Sequence, residues 1–350
     1  MLILSGCAKL RFVKRYRGQV LPPQARIALI SNDALGNYVV LTPLIVMLKD
    51  RWPRSTLHYF GGVRTQELWE NEPLIDHGFP LFGTHPASAI TWRPQLPYDW
   101  IINVESTSWA KSFAAILADL ETWVSGPILG PEGRSDFDHS DDSVGDLWRD
   151  PDWTSQTLCT RFPQLQSGFI GEIFCRGVYL SGPIPHYRVP VGFVEEPIPD
   201  LLIATAASLP EKLWPEENWS LAVREIVQHG YTVGIVGASP TPRPTYWKGS
   251  QTEEWLVAEG LVRDFRGAWT LPEVVGALGS AKAVLTLDNG ILHLAAATST
   301  PIVGLFRTGI HRLWAPPVER MTALTPRPGQ TVADVSVADV VEATLGFLRA

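Results

Sequence analysis

Residues 284–306 constrain the fold of this chain more than any other stretch. Val284, Leu285 and Leu287 form an apolar run suited to a strand buried on both faces. Asp288, Asn289 and Gly290 interrupt it, small residues carrying His293 follow, and Pro301 opens a second apolar run. Strand, turn, helix and strand in that order make a β-α-β unit, the connection that parallel strands require. An acid and a glycine at the carboxyl end of the first strand place unpaired helix N–H groups where an anion can approach the backbone. On this reading Gly290 is needed because a side chain there would hold a phosphate off.

The same alternation extends along the chain. Residues 26–31, 56–60 and 100–104 read as strands and 38–50 and 108–119 as helices, the pattern of a parallel sheet covered on both faces. Pro183, Pro185, Pro190, Pro197 and Pro199 then cluster ahead of a new strand at Leu201, Leu202 and Ile203, as a stiff connector would. Beyond it, Trp219, Ala222, Val223, Ile226 and Val227 share one helical face, 232–236 reads as a strand and 271–280 as a helix. A last helix begins at Ser336, with Asp339 completing a capping box.

At 350 residues, two domains are expected rather than one. The boundaries are a basic arm at 1–25, a first domain at 26–190, a second at 200–335 and the terminal helix at 336–350. A net charge of −7 argues against nucleic acid as a partner. Cys7, Cys159 and Cys175 have neither metal-ligand spacing nor a disulfide pattern, which fits a reducing, cytoplasmic setting. Lys9, Arg11, Lys14, Arg15 and Arg17 interleave with Leu10, Phe12, Val13 and Tyr16, so residues 9–17 could rest on an anionic membrane surface. The acid-rich stretch 132–152 reads as a surface loop or flap. Asp136 and Asp138 within it have Asp-x-Asp spacing, but two acids in so acidic a loop often do, and no metal site is assigned.

Three motifs in order carry a resemblance to a known family. They are Asp288, Asn289 and Gly290 followed at His293 by Leu294, Ala295, Ala296 and Ala297; Ser208 followed by Lys212, Trp214, Pro215 and a helix; and the opening strand at Arg26–Ile30, leading through Gly36 and Asn37 to Thr42 and Pro43. Together they resemble the glycosyltransferases that include the lipopolysaccharide heptosyltransferases. The resemblance implies two doubly wound Rossmann-like α/β domains facing across a cleft (GT-B), with the acceptor on the first and the nucleotide sugar on the second. It also implies a terminal helix that crosses back to the first domain. The implied reaction is inverting, metal-independent transfer of a sugar, such as a heptose from an ADP-linked donor, to a lipopolysaccharide core or other glycan at the inner face of the cytoplasmic membrane. No cofactor is implied beyond the donor itself.

Such a transfer needs donors for the leaving diphosphate and a base for the acceptor hydroxyl. Ser208, Lys212, Asp288, Asn289, Gly290 and His293 are the candidate donor-binding residues, and Asp33, Asn37 and Lys212 the candidate catalytic ones. Asp288 would otherwise be only a helix cap, and His293 only a packed helix histidine. The family has Gly-Asp where this chain has Gly36 and Asn37, and an amide cannot take up a proton as a carboxylate does. Asp33, four residues earlier, is the expected substitute base. The rival reading is a non-catalytic relative that binds a nucleotide sugar or glycan. A second rival is a transferase with another donor and a small acceptor, since Pro240, Pro242 and Pro244 stand where the family has an acidic, ribose-contacting stretch.

Overall fold

The structure, a computed structural model, describes residues 13–85, 97–130, 132–241 and 248–350. It contains two six-stranded parallel sheets. The first has strands β1 (Lys14–Arg15), β2 (Arg26–Ile30), β3 (Thr56–Gly62), β4 (His77–Phe82), β5 (Trp100–Asn103) and β6 (Trp123–Ser125), ordered β1-β6-β5-β2-β3-β4. The second has β7 (Leu201–Ala204), β8 (Val233–Ile235), β9 (Arg263–Asp264), β10 (Ala283–Leu287), β11 (Ile302–Leu305) and β12 (Met321–Leu324), ordered β12-β11-β10-β7-β8-β9. In each sheet the winding reverses between two neighbours, β2 beside β5 and β7 beside β10. Loops leaving such a pair diverge to opposite faces and open a crevice at the carboxyl edge, where ligands of this architecture bind.

Helix α1 (Leu35–Arg51) follows β2, and α2 (Gln66–Trp69) follows β3. The first sheet also carries α3 (Ser108–Leu117), while α4 (Ser143–Arg149), α5 (Leu158–Arg161) and α6 (Ile170–Arg176) complete the first half. The second half adds α7 (Glu216–Gln228), α8 (Ser250–Ala258), α9 (Leu271–Ser280), α10 (Gly290–Ala296), α11 (His311–Trp314) and α12 (Val337–Leu348). No helix of the described residues is long and apolar enough to cross a membrane.

The two halves share one continuous core. Tyr38, Leu41 and Leu44 of α1 pack in the same buried cluster as Ile170 and Ile173 of α6 and Leu292 and Ala295 of α10. Helix α1 lies between the other two, and a local defect in it is repaired by its neighbour in sequence. Pro43 has no N–H to give the Val39 carbonyl, and the Thr42 hydroxyl donates to that carbonyl instead at 2.7 Å. The same hydroxyl accepts the Arg188 N–H at 3.1 Å, which ties the connector to α1. Four residues on, the Gly192 N–H donates to the Pro272 carbonyl of α9 at 2.7 Å.

Three expectations change. Helix α12 stays on the second sheet, where Val340, Val341 and Leu345 pack with Trp219, Ala222 and Val223 of α7, rather than crossing to the first domain. Its Ser336 cap accepts the Asp339 N–H at 3.4 Å, which is half of the expected capping box. The basic segment is not a free arm within the described residues: Lys14 and Arg15 form β1 beside β6, and Tyr16 is buried. Lys14 pairs with Glu121 at 2.6 Å, and the Arg15 guanidinium donates to the carbonyls of Gly126, Phe137 and Asp138. Residues 9–12 lie outside the described residues. The stretch 132–152 is ordered by its own acids: Asp142 caps α4, Asp136 pairs with Lys111 at 2.8 Å, and Asp150 pairs with Arg161.

Candidate active site

A cleft of about 800 Å³ lies between the two sheets' carboxyl edges, lined from both halves. The second half contributes the loop after β7 with Ser208 and Lys212, and the start of α10 with Asp288, Asn289, Gly290 and His293. The first half contributes Asn37 together with Leu35, Gly36, Arg64 and Glu67. Seven of the predicted site residues therefore meet in one place, although 251 positions separate Asn37 from Asp288 in the chain (288 − 37).

The turn after β10 is built by Asn289. Its Oδ1 accepts the N–H groups of Ile291 at 2.9 Å and Leu292 at 3.3 Å, and its Nδ2 donates to the Ala206 carbonyl at 2.9 Å. One side chain thus caps α10 and ties the two loops of the switch point together, which a serine or threonine hydroxyl could not do with the same reach. Two of the helix N–H groups expected to be unpaired are consequently occupied. Gly290 also has a packing reason beside the one expected. A Cβ there would lie 2.8 Å from the Cβ of Leu35, so the glycine lets the first domain's α1 close onto α10. Gly36 does the same from the other side, since its Cβ would come within 2.8 Å of His293 Cδ2.

Lys212 Nζ lies 2.8 Å from Asp288 Oδ2 and donates to the Asp288 carbonyl at 3.2 Å. Asp288 is buried, and the ion pair offsets its charge although Oδ2 receives no well-aligned hydrogen bond. The ammonium has three donors, so its pairing with Asp288 is compatible with a further anion. His293 is 2 % exposed and sits among Gly36, Tyr187 and Trp314; its Nδ1 is 3.3 Å from the Tyr187 hydroxyl. Burial lowers its pKa to about 4, with Asp288 pulling upward and Lys212 downward, so the ring is neutral near pH 7. It brings no positive charge to the cleft there.

Asp33, the expected base, is engaged by Arg64. It does not line the cleft, and both its oxygens accept from Arg64, Oδ1 from the backbone N–H at 3.0 Å and Oδ2 from Nε at 2.5 Å. A carboxylate held by a guanidinium in this way is poorly placed to take a proton from an acceptor hydroxyl. Glu67 is the carboxylate that the first half presents to the cleft, and its Oε2 accepts the Leu271 N–H of α9 at 2.6 Å. Neither Glu67 nor Arg64 stood out in the sequence. The hint was the pair Gly61 and Gly62 ending β3, because consecutive glycines at a strand's carboxyl end mark close approach there. Trp269, Trp314 and Glu253 also line the cleft. Trp269 stacks on Phe265 at 4.6 Å, and buried Glu253 lies 3.5 Å from Arg266. Among the described residues no group of three or more His, Cys, Asp or Glu is arranged to hold a metal ion.

The model of glycosyltransferase family 9 (heptosyltransferase) matches residues 191–340. Over 101 residues the chain is 30% identical to the lipooligosaccharide heptosyltransferase 2 of Haemophilus influenzae, covering 28% of each protein. Over 99 residues it is 27% identical to the lipopolysaccharide heptosyltransferase 2 of Escherichia coli, covering 28% of this chain and 27% of that one. The matched stretches thus span little more than a quarter of these curated relatives. Solved structures agree over the whole length. A glycosyl transferase family 9 protein of Veillonella parvula matches with a TM-score of 0.69 at 15% identity, over 95% of this chain and 99% of that one. The E. coli ADP-heptose lipopolysaccharide heptosyltransferase II matches with a TM-score of 0.65 at 16% identity, over 93% and 98%. Residues 191–340 are thus similar to glycosyltransferase family 9 (heptosyltransferase), and the chain as a whole has the two-domain α/β (GT-B) fold of the solved structures it matches.

Proposed function

We propose that this protein is an inverting, metal-independent glycosyltransferase that moves a heptose from an ADP-linked donor onto a lipopolysaccharide core or another glycan, working at the inner face of the cytoplasmic membrane. The observation that carries the reading is the meeting of Ser208, Lys212 and the Asp288–Gly290 turn at the switch point of the second sheet, faced by the first domain. The choice of nucleotide is supported by an E. coli heptosyltransferase solved with ADP, which has the same fold at a TM-score of 0.65 and 15% identity.

In this reading the donor diphosphate lies against Ser208 and Lys212, with Asn289 and Gly290 shaping the turn beside it. The acceptor hydroxyl gives its proton to a carboxylate as its oxygen bonds to the anomeric carbon from the face opposite the diphosphate. The bond from that carbon to the diphosphate breaks, and the electron pair leaves with the diphosphate, whose growing charge Lys212 stabilises. We assign the base to Glu67 because it is the first-domain carboxylate lining the cleft. A second reading, a binding module without turnover, is favoured by Asn37 at the family's carboxylate position and by the engagement of Asp33 with Arg64.

Release of nucleoside diphosphate from a panel of nucleotide sugars, measured beside donor binding, tests both readings. Release should survive EDTA. It should fall by roughly 100-fold or more in Glu67→Gln with donor affinity kept, since a general base acts in the transition state. Binding without release from any donor, or release only after Asn37→Asp, would favour the binding module. Loss with EDTA that manganese restores would contradict metal independence.

A further inference from the structure

Asp33 closes the loop after β2, and Arg64 lies in the turn after β3, its neighbour in the sheet. Parallel pairing brings both loops to one carboxyl edge, so two residues 31 positions apart meet there. Glycine permits the approach, because a Cβ at Gly62 would fall on the carboxylate and backbone of Asp33. The two ends of the pair then differ in what they face. Arg64 lines the cleft and Asp33 does not.

Arg64 lines the cleft together with first-domain residues that touch the second domain at two points. At one Leu35 and Gly36 meet Gly290 and His293, and at the other Glu67 holds the Leu271 N–H. The opposing wall carries Lys212 and the Asp288–Gly290 turn. A guanidinium tethered through its Nε and its own main chain has little rotamer freedom left to lose, and its planar fork of donors matches phosphate. This is the arrangement that preorganisation for an anion requires: the charge is fixed before the ligand arrives.

We propose that Arg64 is the first domain's contact for the diphosphate of a nucleoside diphosphate, and that Asp33 is a positioning residue that aims its guanidinium into the cleft. The proposal rests on the nucleotide-sugar reading above. In that arrangement the diphosphate is gripped from both walls, by Lys212 on one and Arg64 on the other, and the grip also holds the domains together.

The test is calorimetric titration of ADP and UDP into the wild type, Arg64→Gln, Asp33→Asn and the double variant at several salt concentrations. Arg64→Gln should weaken binding by about tenfold, the value of one charge-assisted contact, and should make the affinity less sensitive to salt. Asp33→Asn should weaken it by roughly threefold or more, and the double variant should be little worse than Arg64→Gln alone, because the two residues act as a unit. Affinity in Arg64→Gln within twofold of wild type would overturn the proposal, as would an unchanged salt dependence. Asp33→Asn with normal diphosphate affinity but no turnover would return Asp33 to the role of base and overturn its role in positioning. A wild type that binds neither nucleotide overturns the nucleotide-sugar reading itself, whereas binding that is merely indifferent to Arg64 overturns only this inference.

Discussion

Two glycines in this protein are there for the contact between domains. Gly290 faces Leu35 and Gly36 faces His293, each so closely that a methyl group would collide. Gly290→Ala should therefore destabilise the fold by about 1–3 kcal/mol, the usual cost of overpacking. Leu35→Ala in the same chain should recover part of it, as read by urea denaturation. If Gly290 were instead needed only to admit phosphate, the single variant would be as stable as wild type and no rescue would appear. At this scale the sequence was informative about identity and silent about partners. Asp288, Asn289, Gly290 and His293 could be placed at a strand end and a helix start because the apolar run and the small-residue helix bracket them. That Gly290 faces a leucine 255 positions earlier (290 − 35) depends on how two separately wound sheets dock, which local pattern does not encode. The Asp33–Arg64 pair was hidden for the same reason, since neither residue is unusual for its own loop.

Helix α1 shows how an element can be both legible and incompletely understood from sequence. Its apolar run and the opening strand before it predict a helix, and Pro43 inside that helix is an apparent contradiction. The contradiction is resolved by Thr42, which supplies the hydrogen bond that Pro43 cannot and accepts another from the connector. Thr42→Val should leave the Val39 carbonyl and the Arg188 N–H without that hydroxyl, at a cost of about 1–3 kcal/mol, while Thr42→Ser should cost less because it keeps both bonds. Equal denaturation midpoints for the two variants would contradict this assignment. Helix α12 was legible in its extent and not in its destination, because an amphipathic helix declares which face is apolar but not which of two sheets it covers. The acidic stretch misled through composition: Asp142 and Asp150 are a cap and an ion-pair partner, roles that an acid count cannot separate from solvated charge.

Over the whole molecule, the common core around α1 makes the two domains a single apolar assembly around the cleft, and its buried histidines should give that assembly a characteristic response to pH. Burial lowers the pKa of His293 and His58 to about 4 from an ordinary value of 6.5. The unfolded chain takes up these protons below pH 6.5 while the folded one resists until about pH 4, so stability falls as pH drops through that interval. Each histidine contributes a slope of up to about 1.4 kcal/mol per pH unit there. His293→Gln should flatten the fall in denaturation free energy between pH 6 and pH 4; an unchanged slope would show that His293 titrates normally.

The central claim is that the cleft takes a nucleoside diphosphate on Lys212 and the Asp288–Gly290 turn. It is tested most directly by titrating ADP into the wild type and Lys212→Ala by calorimetry. Wild type should bind, and Lys212→Ala should bind at least about tenfold more weakly, since a charge-assisted contact to phosphate is lost. ADP affinity that is the same in both proteins, or a wild type that binds neither ADP nor any other nucleoside diphosphate, would contradict the account.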